Sequence, residues 1–243
     1  MKETNDLVDQ VMRNSDIVLI VIDARMVNQS MNKFIDSKIK KYGKKYLYVI
    51  NKIDLISKQE QDKINLKNSI GVSSKNHIST VRLLNKIIGL AKGRRPITVG
   101  VVGFPNTGKS TLINALKGRK SARTSSVSGY TKGLQWIRIT RSIMMIDTPG
   151  VLHYTKSTDL LSIGVLNAES LEDPEMSAVK LIESLDGKIE DYFRVERKED
   201  LFEILEDIAI KKNILKKGGV PDTKRIAIEI IRLCQKGKIR FSK

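Results

Sequence analysis

The fold of this chain is decided by the stretch GFPNTGKS, at Gly103–Ser110. It has the form G-x-x-x-x-G-K-[ST], which is typical of the loop that holds phosphate between a strand and a helix. The two glycines let the backbone turn so that successive N–H groups and the positive end of the following helix face one phosphate group. Lys109 is then expected along the outer phosphates, and Ser110 is expected to bind magnesium.

The flanking sequence supports this interpretation of the loop. The apolar run ITVGVV at 97–102 predicts a buried parallel strand, and TLINALK at 111–117 predicts a helix. The alternative is a glycine-rich turn with an unrelated lysine, which this context disfavours. We therefore expect a strand, a phosphate-binding loop and a helix in succession.

The composition indicates a basic protein without a membrane segment. The 243 residues are 40% hydrophobic and carry a formal net charge of +17. No apolar run approaches the roughly 20 residues that span a bilayer, and the start of the chain lacks a signal-peptide pattern, so we expect a cytoplasmic protein with no membrane partner. A single cysteine, Cys234, allows no internal disulfide. The charge predicts a polyanionic partner, although a basic surface that binds nothing is the alternative.

Strand and helix patterns alternate up to about residue 150. An amphipathic helix is predicted at 3–13, and Asn76 is expected to cap a helix whose apolar face carries Val81, Leu84, Ile87, Ile88 and Ala91. The alternation predicts an α/β fold with a mostly parallel sheet and ligands at the carboxyl ends of its strands. The predicted strands are 17–22, 46–50, 70–73, 97–102, 134–140 and 142–146.

From about residue 171 the sequence predicts helices only. Asp173 followed by Pro174 predicts a helix start, and Asp222 is a second predicted cap. We therefore expect a nucleotide-binding domain at 1–168 and a small all-α domain at 169–243. Between 208 and 243, eleven lysines and arginines against two acids make the C-terminal part of this domain basic, which suits contacts to RNA phosphates. They are Lys211, Lys212, Lys216, Lys217, Lys224, Arg225, Arg232, Lys236, Lys238, Arg240 and Lys243.

A second motif, Asn51-Lys52-Ile53-Asp54, predicts recognition of guanine. A carboxylate such as Asp54 accepts two hydrogen bonds, which matches the N1–H and exocyclic amino donors of guanine, whereas adenine has no such adjacent pair. Asn51 is expected to hold the neighbouring loops, and the Lys52 stem is expected to cover the ring. Four such residues in a surface turn are common, so the prediction depends on the phosphate loop beside them.

Further motifs follow two other strands. Ser73-Ser74-Lys75 resembles a motif whose backbone N–H meets the guanine carbonyl oxygen, and Asp147-Thr148-Pro149-Gly150 offers a carboxylate for magnesium and a glycine N–H for the γ-phosphate. The stretch 120–133 is expected to be a mobile loop. Its Thr131 is the predicted magnesium ligand that senses the γ-phosphate, with a plain loop hydroxyl as the alternative.

The order of the motifs is permuted, because N-K-x-D and S-x-K precede the phosphate loop. In this the chain resembles the circularly permuted GTPases of the YlqF/RbgA and YawG class, which are ribosome-assembly factors. Asp23-Ala24-Arg25 and Gly219-Val220-Pro221-Asp222 are similar to further signatures of that class. The resemblance implies a P-loop GTPase that binds GTP or GDP with Mg2+ and acts on the rRNA of the large ribosomal subunit. A monomer without a DNA partner is expected.

These motifs assign candidate roles to individual residues. Asn106 resembles the asparagine by which potassium-dependent relatives hold a monovalent cation, so K+ is a further candidate cofactor. The predicted catalytic residues are Asn106, Lys109, Thr131 and Gly150, and the predicted metal ligands are Ser110, Thr131 and Asp147. The predicted nucleotide-binding residues are Asn51, Lys52, Asp54, Ser73, Ser74, Lys75, Asn106, Thr107, Gly108, Lys109, Ser110, Thr111, Thr131 and Gly150.

The sequence also predicts slow hydrolysis. Val151 stands where Ras-like enzymes have a glutamine that orients the attacking water, and valine cannot do so. His153 is a candidate substitute, with an exposed loop residue as the favoured alternative. A GTPase switch is the leading hypothesis, and a nucleotide-dependent RNA-binding module with negligible hydrolysis is the second. An ATP-dependent P-loop enzyme is the third, and Asp54 disfavours it.

Overall fold

The computed structural model describes residues 2–117, 134–147 and 168–239. Its backbone contacts divide the chain into two compact units, Met1–His153 and Tyr154–Lys243. The domain boundary predicted at residue 168 stays a prediction.

The described part of the first unit contains one six-stranded sheet, whose strands are β1 Ile17–Asp23, β2 Lys45–Asn51, β3 Ser69–Val72, β4 Ile97–Val102, β5 Gln135–Arg138 and β6 Ile143–Asp147. Their order in the sheet is β3-β2-β1-β4-β6-β5. Neighbouring strands are parallel except for the antiparallel pair of β5 and β6 at one edge. The predicted α/β fold with a mostly parallel sheet is therefore confirmed.

Helices accompany this sheet, and their caps agree with the sequence. For example, the helix Lys33–Tyr42 is capped by Gly43, whose φ of 57° is left-handed and whose N–H donates to the carbonyl oxygens of Ile39 and Lys40. Short 3-10 helices lie at Ala24–Met26 and Ile53–Leu55. The α-helices of this unit are α1 Lys2–Asn14, α2 Val27–Ser30, α3 Lys33–Tyr42, α4 Lys58–Lys63, α5 Thr80–Ala91 and α6 Lys109–Lys117.

The start and the buried face of α5 differ from the prediction. Asn76 does not cap the helix, because its N–H lies in the preceding turn and donates to Ser73 Oγ at 3.2 Å. The chain then passes through left-handed backbone at Ser79 before the helix begins. Val81 is 68% exposed and Ile88 is also exposed. The buried residues are Thr80, Leu83, Ile87 and Ala91.

The strand order places a switch point at the centre of the sheet. Strands β1, β2 and β3 extend to one side, and β4, β6 and β5 extend to the other. The strand order therefore reverses its direction between the adjacent strands β1 and β4. Open α/β sheets bind ligands at such a point. All seven residues of β1 are buried, so the segments that follow β1 and β4 are held by a rigid core.

The described part of the second unit, 168–239, is helical apart from an isolated bridge between Leu215 and Pro221. Asp173 accepts a hydrogen bond from Met176 N, and Asp222 accepts one from Arg225 N, so both predicted caps are confirmed. Its core consists of fully buried aliphatic side chains such as Leu181 and Ile208. The α-helices are α7 Pro174–Leu185, α8 Lys188–Phe193, α9 Leu201–Lys211 and α10 Thr223–Gln235. Within the described ranges, no helix is both long and apolar enough to cross a membrane.

Candidate nucleotide-binding site

Close packing against a backbone carbonyl and a buried side chain requires glycine at two positions of the loop between β4 and α6. A Cβ on Gly103 would lie 2.3 Å from the carbonyl oxygen of Val21, and φ is 153° there. A Cβ on Gly108 would lie 2.4 Å from Asn51 Nδ2, and φ is 92°. Such contacts are sterically forbidden, so both glycines of the motif are needed for close approach of neighbouring segments. The predicted succession of strand, loop and helix is observed.

Lys109 is the first residue of α6 and lies folded into the loop. Its ammonium donates hydrogen bonds to the carbonyl oxygens of Gly103 at 2.9 Å and Phe104 at 2.8 Å, and the residue is 6% exposed. Burial lowers the pKa of Lys109 to about 8, against the opposing effect of the Asp147 charge. An anion bound in the loop would stabilise the charged form and raise this pKa, so this lysine is suited to phosphate.

Ser110 and Asp147 lie together at the adjacent ends of α6 and β6. Ser110 Oγ donates to Asp147 Oδ2 at 3.4 Å, and Ser110 is exposed. A hydroxyl and a carboxylate are hard oxygen donors of the kind that Mg2+ prefers, and Mg2+ usually keeps several waters besides one or two protein ligands. The two residues therefore fit a magnesium site next to the phosphate loop.

The side chain of Asn51, at the end of β2, joins three loops. Its Nδ2 donates to the carbonyl oxygen of Thr107 at 2.9 Å, and its Oδ1 accepts from Ser74 N at 3.1 Å and Ser74 Oγ at 2.7 Å. All three residues are buried. The base-reading motif, the phosphate loop and the S-x-K segment are thus fixed to one another by a single amide.

Lys52 makes a second link across the site. Its ammonium donates to the carbonyl oxygen of Asn106 at 2.6 Å and forms an ion pair with Asp23 Oδ2 at 2.8 Å. Lys52 and Asn106 both have left-handed backbone, with φ of 65° and 57°. The pKa of Lys52 is lowered by burial, which the Asp23 carboxylate partly offsets.

Other predicted residues lie around the same edge of the sheet. Asp54 follows Lys52 in a 3-10 helix, is half-buried, and makes no side-chain hydrogen bond to another described residue. Lys75 and Thr111 are exposed. Ser73 is fully buried and accepts from Asn76 N, so its hydroxyl holds the turn.

One group at this edge was not given a role by the sequence. Asp23 ends β1 as a buried carboxylate between Lys52 and Arg25. The signal was an acidic residue directly after a fully apolar strand. Residues Thr131, Gly150, Val151 and His153, and the whole of 120–133, lie outside the described residues, and their predicted roles stay predictions.

Comparison with known proteins decides the family. A model of the RsgA GTPase family matches residues 1–156, and a model described as 50S ribosome-binding GTPase matches residues 98–215. A crystal structure of GNP-bound YlqF from T. maritima superposes with a TM-score of 0.66 and 26% identity, covering 98% of this chain and 95% of that one. This chain belongs to the circularly permuted GTPases of the YlqF type.

Curated relatives of this circularly permuted GTPase are longer proteins. An uncharacterized GTP-binding protein of Methanocaldococcus jannaschii is 39% identical over 98% of this chain. Nucleolar GTP-binding protein 2 is 33% identical in Yarrowia lipolytica and 30% identical in Saccharomyces cerevisiae, in each case over 95% of this chain. The chain spans 66% of the length of the first and about half of the other two.

Proposed function

We propose that this chain binds and hydrolyses GTP, and that its GTP form holds rRNA of the large ribosomal subunit and releases it after hydrolysis. The observation that carries the proposal is the Asn51 amide, which fixes the guanine-reading motif to the phosphate loop and to Ser74. Family membership supports the same activity. The matched family described as 50S ribosome-binding GTPase and the relatives named nucleolar GTP-binding protein 2 support the partner.

Within the site, each described residue has a defined task in this proposal. Asp54 accepts from the two guanine donors, and Lys109 gives its ammonium to the phosphates in place of the loop carbonyls that it now contacts. Ser110 and Asp147 would hold Mg2+, which supplies positive charge to the phosphate oxygens when bound. Asn106 is proposed to hold K+ beside them, and Thr131 and Gly150 are proposed to sense the γ-phosphate.

Catalysis is proposed to be slow in the isolated chain and faster on the ribosomal subunit, because Val151 cannot orient water. We expect single-turnover hydrolysis of GTP to accelerate at least about tenfold when large subunits are added, and to slow when sodium replaces potassium. Lithium at the same ionic strength is the control for a general salt effect.

Undetectable hydrolysis with and without subunits would favour the second hypothesis, a nucleotide-dependent RNA-binding module. Equal rates in sodium and potassium would exclude the cation role of Asn106.

RNA contact is proposed to involve the lysine hairpin, which we define as residues 214–222 between α9 and α10. Its turn is closed by hydrogen bonds from Lys216 N to Val220 O at 2.8 Å and from Gly219 N to Lys216 O at 3.1 Å. Lys216 and Lys217 are exposed, and neither forms an ion pair with another described residue. By contrast, Lys212 is paired with Glu229. The hairpin therefore offers two unneutralised charges on a fixed turn, as phosphate contacts require.

We expect this circularly permuted GTPase to co-sediment with large subunits in the presence of a non-hydrolysable GTP analogue and much less with GDP. K216A/K217A should weaken the co-sedimentation about tenfold and reduce the slope of log affinity against log salt by about 2, because each phosphate contact contributes about one. K40A/K41A removes the same charge from the exposed side of α3 and should bind like wild type. Equal binding of both nucleotide states would contradict the switch, and equal loss in both double variants would contradict the role of the hairpin.

A further inference from the structure

Asp23 is a buried charged group of the site that the proposed function does not use. It is 7% exposed at the end of β1. Its Oδ1 accepts from Arg25 Nε at 2.9 Å, and its Oδ2 accepts from Arg25 Nη2 at 2.8 Å. The same Oδ2 lies 2.8 Å from Lys52 Nζ. One carboxylate is therefore shared by two cations.

Asp23 carries its negative charge throughout the neutral pH range. Burial by itself would raise the pKa of its carboxyl group, but the hydrogen bonds and charges of Arg25 and Lys52 outweigh burial and lower the pKa to about 2. A buried charge that is paired and hydrogen-bonded in this way is strongly coupled to its partners, because removal of one member leaves the others uncompensated.

The partner that matters for the site is Lys52. Its ammonium bridges the Asp23 carboxylate and the carbonyl oxygen of Asn106, and so connects β1 to the phosphate loop. The Arg25 guanidinium disfavours the charge on Lys52, whereas Asp23 favours it. Without the carboxylate, Lys52 would lose the ion pair that holds it against Asn106. Repulsion from the Arg25 guanidinium would add to that loss, and the flexible lysine would move away.

We propose that Asp23 is a positioning residue for guanine nucleotides, which acts by holding Lys52 against the phosphate loop. The inference rests on the proposed function. In this arrangement Asp23 sets the position of the Lys52 stem beside the base and the conformation of Asn106 beside the phosphates. The end of β1 thereby controls how long the nucleotide stays bound.

The dissociation rate of methylanthraniloyl-labelled GDP tests this role. Asp23→Asn should release the nucleotide about 10- to 100-fold faster than wild type, in line with the loss of a charge-assisted hydrogen bond. Asp9→Asn is the matched control, because Asp9 forms a similar ion pair with Lys38 at 2.6 Å elsewhere in the same unit. The control should dissociate at the wild-type rate. An unchanged rate in Asp23→Asn would overturn the proposal.

A double-mutant cycle distinguishes positioning from a general structural effect. If Asp23 acts through Lys52, Asp23→Asn should add less than about threefold to the dissociation rate when Lys52 is already methionine. Full additivity of the two substitutions would overturn the proposal. Arg25→Met retains the pair of Asp23 and Lys52 and should stay within about threefold of wild type, although it removes a buried cation.

Two further comparisons keep the outcome decisive. If Asp23→Asn does not fold, D23N/R25M removes the carboxylate and the buried guanidinium together and should still release GDP at the faster rate. Slow release from that variant would overturn the proposal.

A wild-type chain that bound no labelled GDP would overturn the proposed function and this inference with it. Wild-type binding combined with additive variants would overturn the inference alone.

Discussion

Asp54→Asn is expected to change the preferred base from guanine to xanthine. The carboxylate accepts from both N1–H and the exocyclic amine of guanine, whereas an amide offers one acceptor and one donor. Xanthine has a carbonyl oxygen in place of that amine, which suits the amide donor. Each hydrogen bond to a charged group such as this carboxylate contributes about 1.5–3 kcal/mol to the free energy of binding. We therefore expect affinity for GDP to fall about 100-fold or more and affinity for XDP to rise.

The structure indicates that this substitution should leave the fold intact. Asp54 is half-buried and makes no side-chain hydrogen bond to another described residue, so the substitution breaks no internal hydrogen bond and only weakens a charge interaction with Lys52. Asp62→Asn is the matched control, because Asp62 forms an exposed pair with Lys58 on α4. Titration of each variant with labelled GDP and XDP measures the change. If Asp54→Asn kept the wild-type preference for GDP, the assignment of the base-reading residue would be wrong.

Apolar runs and short motifs in the sequence predicted the sheet and the loops well. A run such as residues 17–22 is apolar at every position, and the structure buries all of β1. The glycines of the phosphate loop were predicted from their pattern, and the reason for them appears in the approach of Val21 and Asn51. Motifs that follow strands were expected to meet because parallel strands end at one edge.

Tertiary relations explain what the sequence could not predict. Helix α5 has apolar residues on more than one face, so only packing could decide that Leu83 is buried and Val81 is exposed. The sequence placed Asp23 in a family signature without a physical role. Its proposed role depends on Lys52, which is distant in sequence and adjacent only because β1 pairs with β2. Periodicity and motif spacing contain no information about such pairs.

Lys109→Met is expected to lower affinity for GTP about 1,000-fold without destabilising the free protein. Removing one member of a buried charged pair costs roughly 2–5 kcal/mol of binding free energy, and about 1.4 kcal/mol corresponds to tenfold in affinity. In the free protein, however, burial disfavours the ammonium and lowers the pKa of Lys109 to about 8. Methionine has a similar length and no charge, so its burial is expected to be neutral or stabilising.

The pH dependence of unfolding gives a second measure of the same lysine. Below pH 8 the ammonium is protonated in the folded and unfolded states, and the folded state bears the whole cost of its burial. Above pH 8 the folded state releases the proton first, whereas the unfolded state keeps it up to its ordinary pKa of 10.5. The unfolded state then binds more protons, so the free energy of unfolding rises with pH across this window. Denaturant titrations at pH 7.5 and 9.5 should show this rise in wild type and a smaller one in Lys109→Met.

Lys63→Met separates this effect from the loss of any lysine, because Lys63 is exposed at the end of α4. It should retain wild-type affinity for GTP and the wild-type change in unfolding free energy with pH. If Lys109→Met instead bound GTP tightly, the phosphates would not lie against this lysine. If it weakened GTP binding but lowered stability at pH 7.5, the hydrogen bonds to Gly103 and Phe104 would outweigh the cost of burying the charge. Only weak GTP binding combined with retained stability is consistent with a buried ammonium that destabilises the free protein and is stabilised by a bound anion.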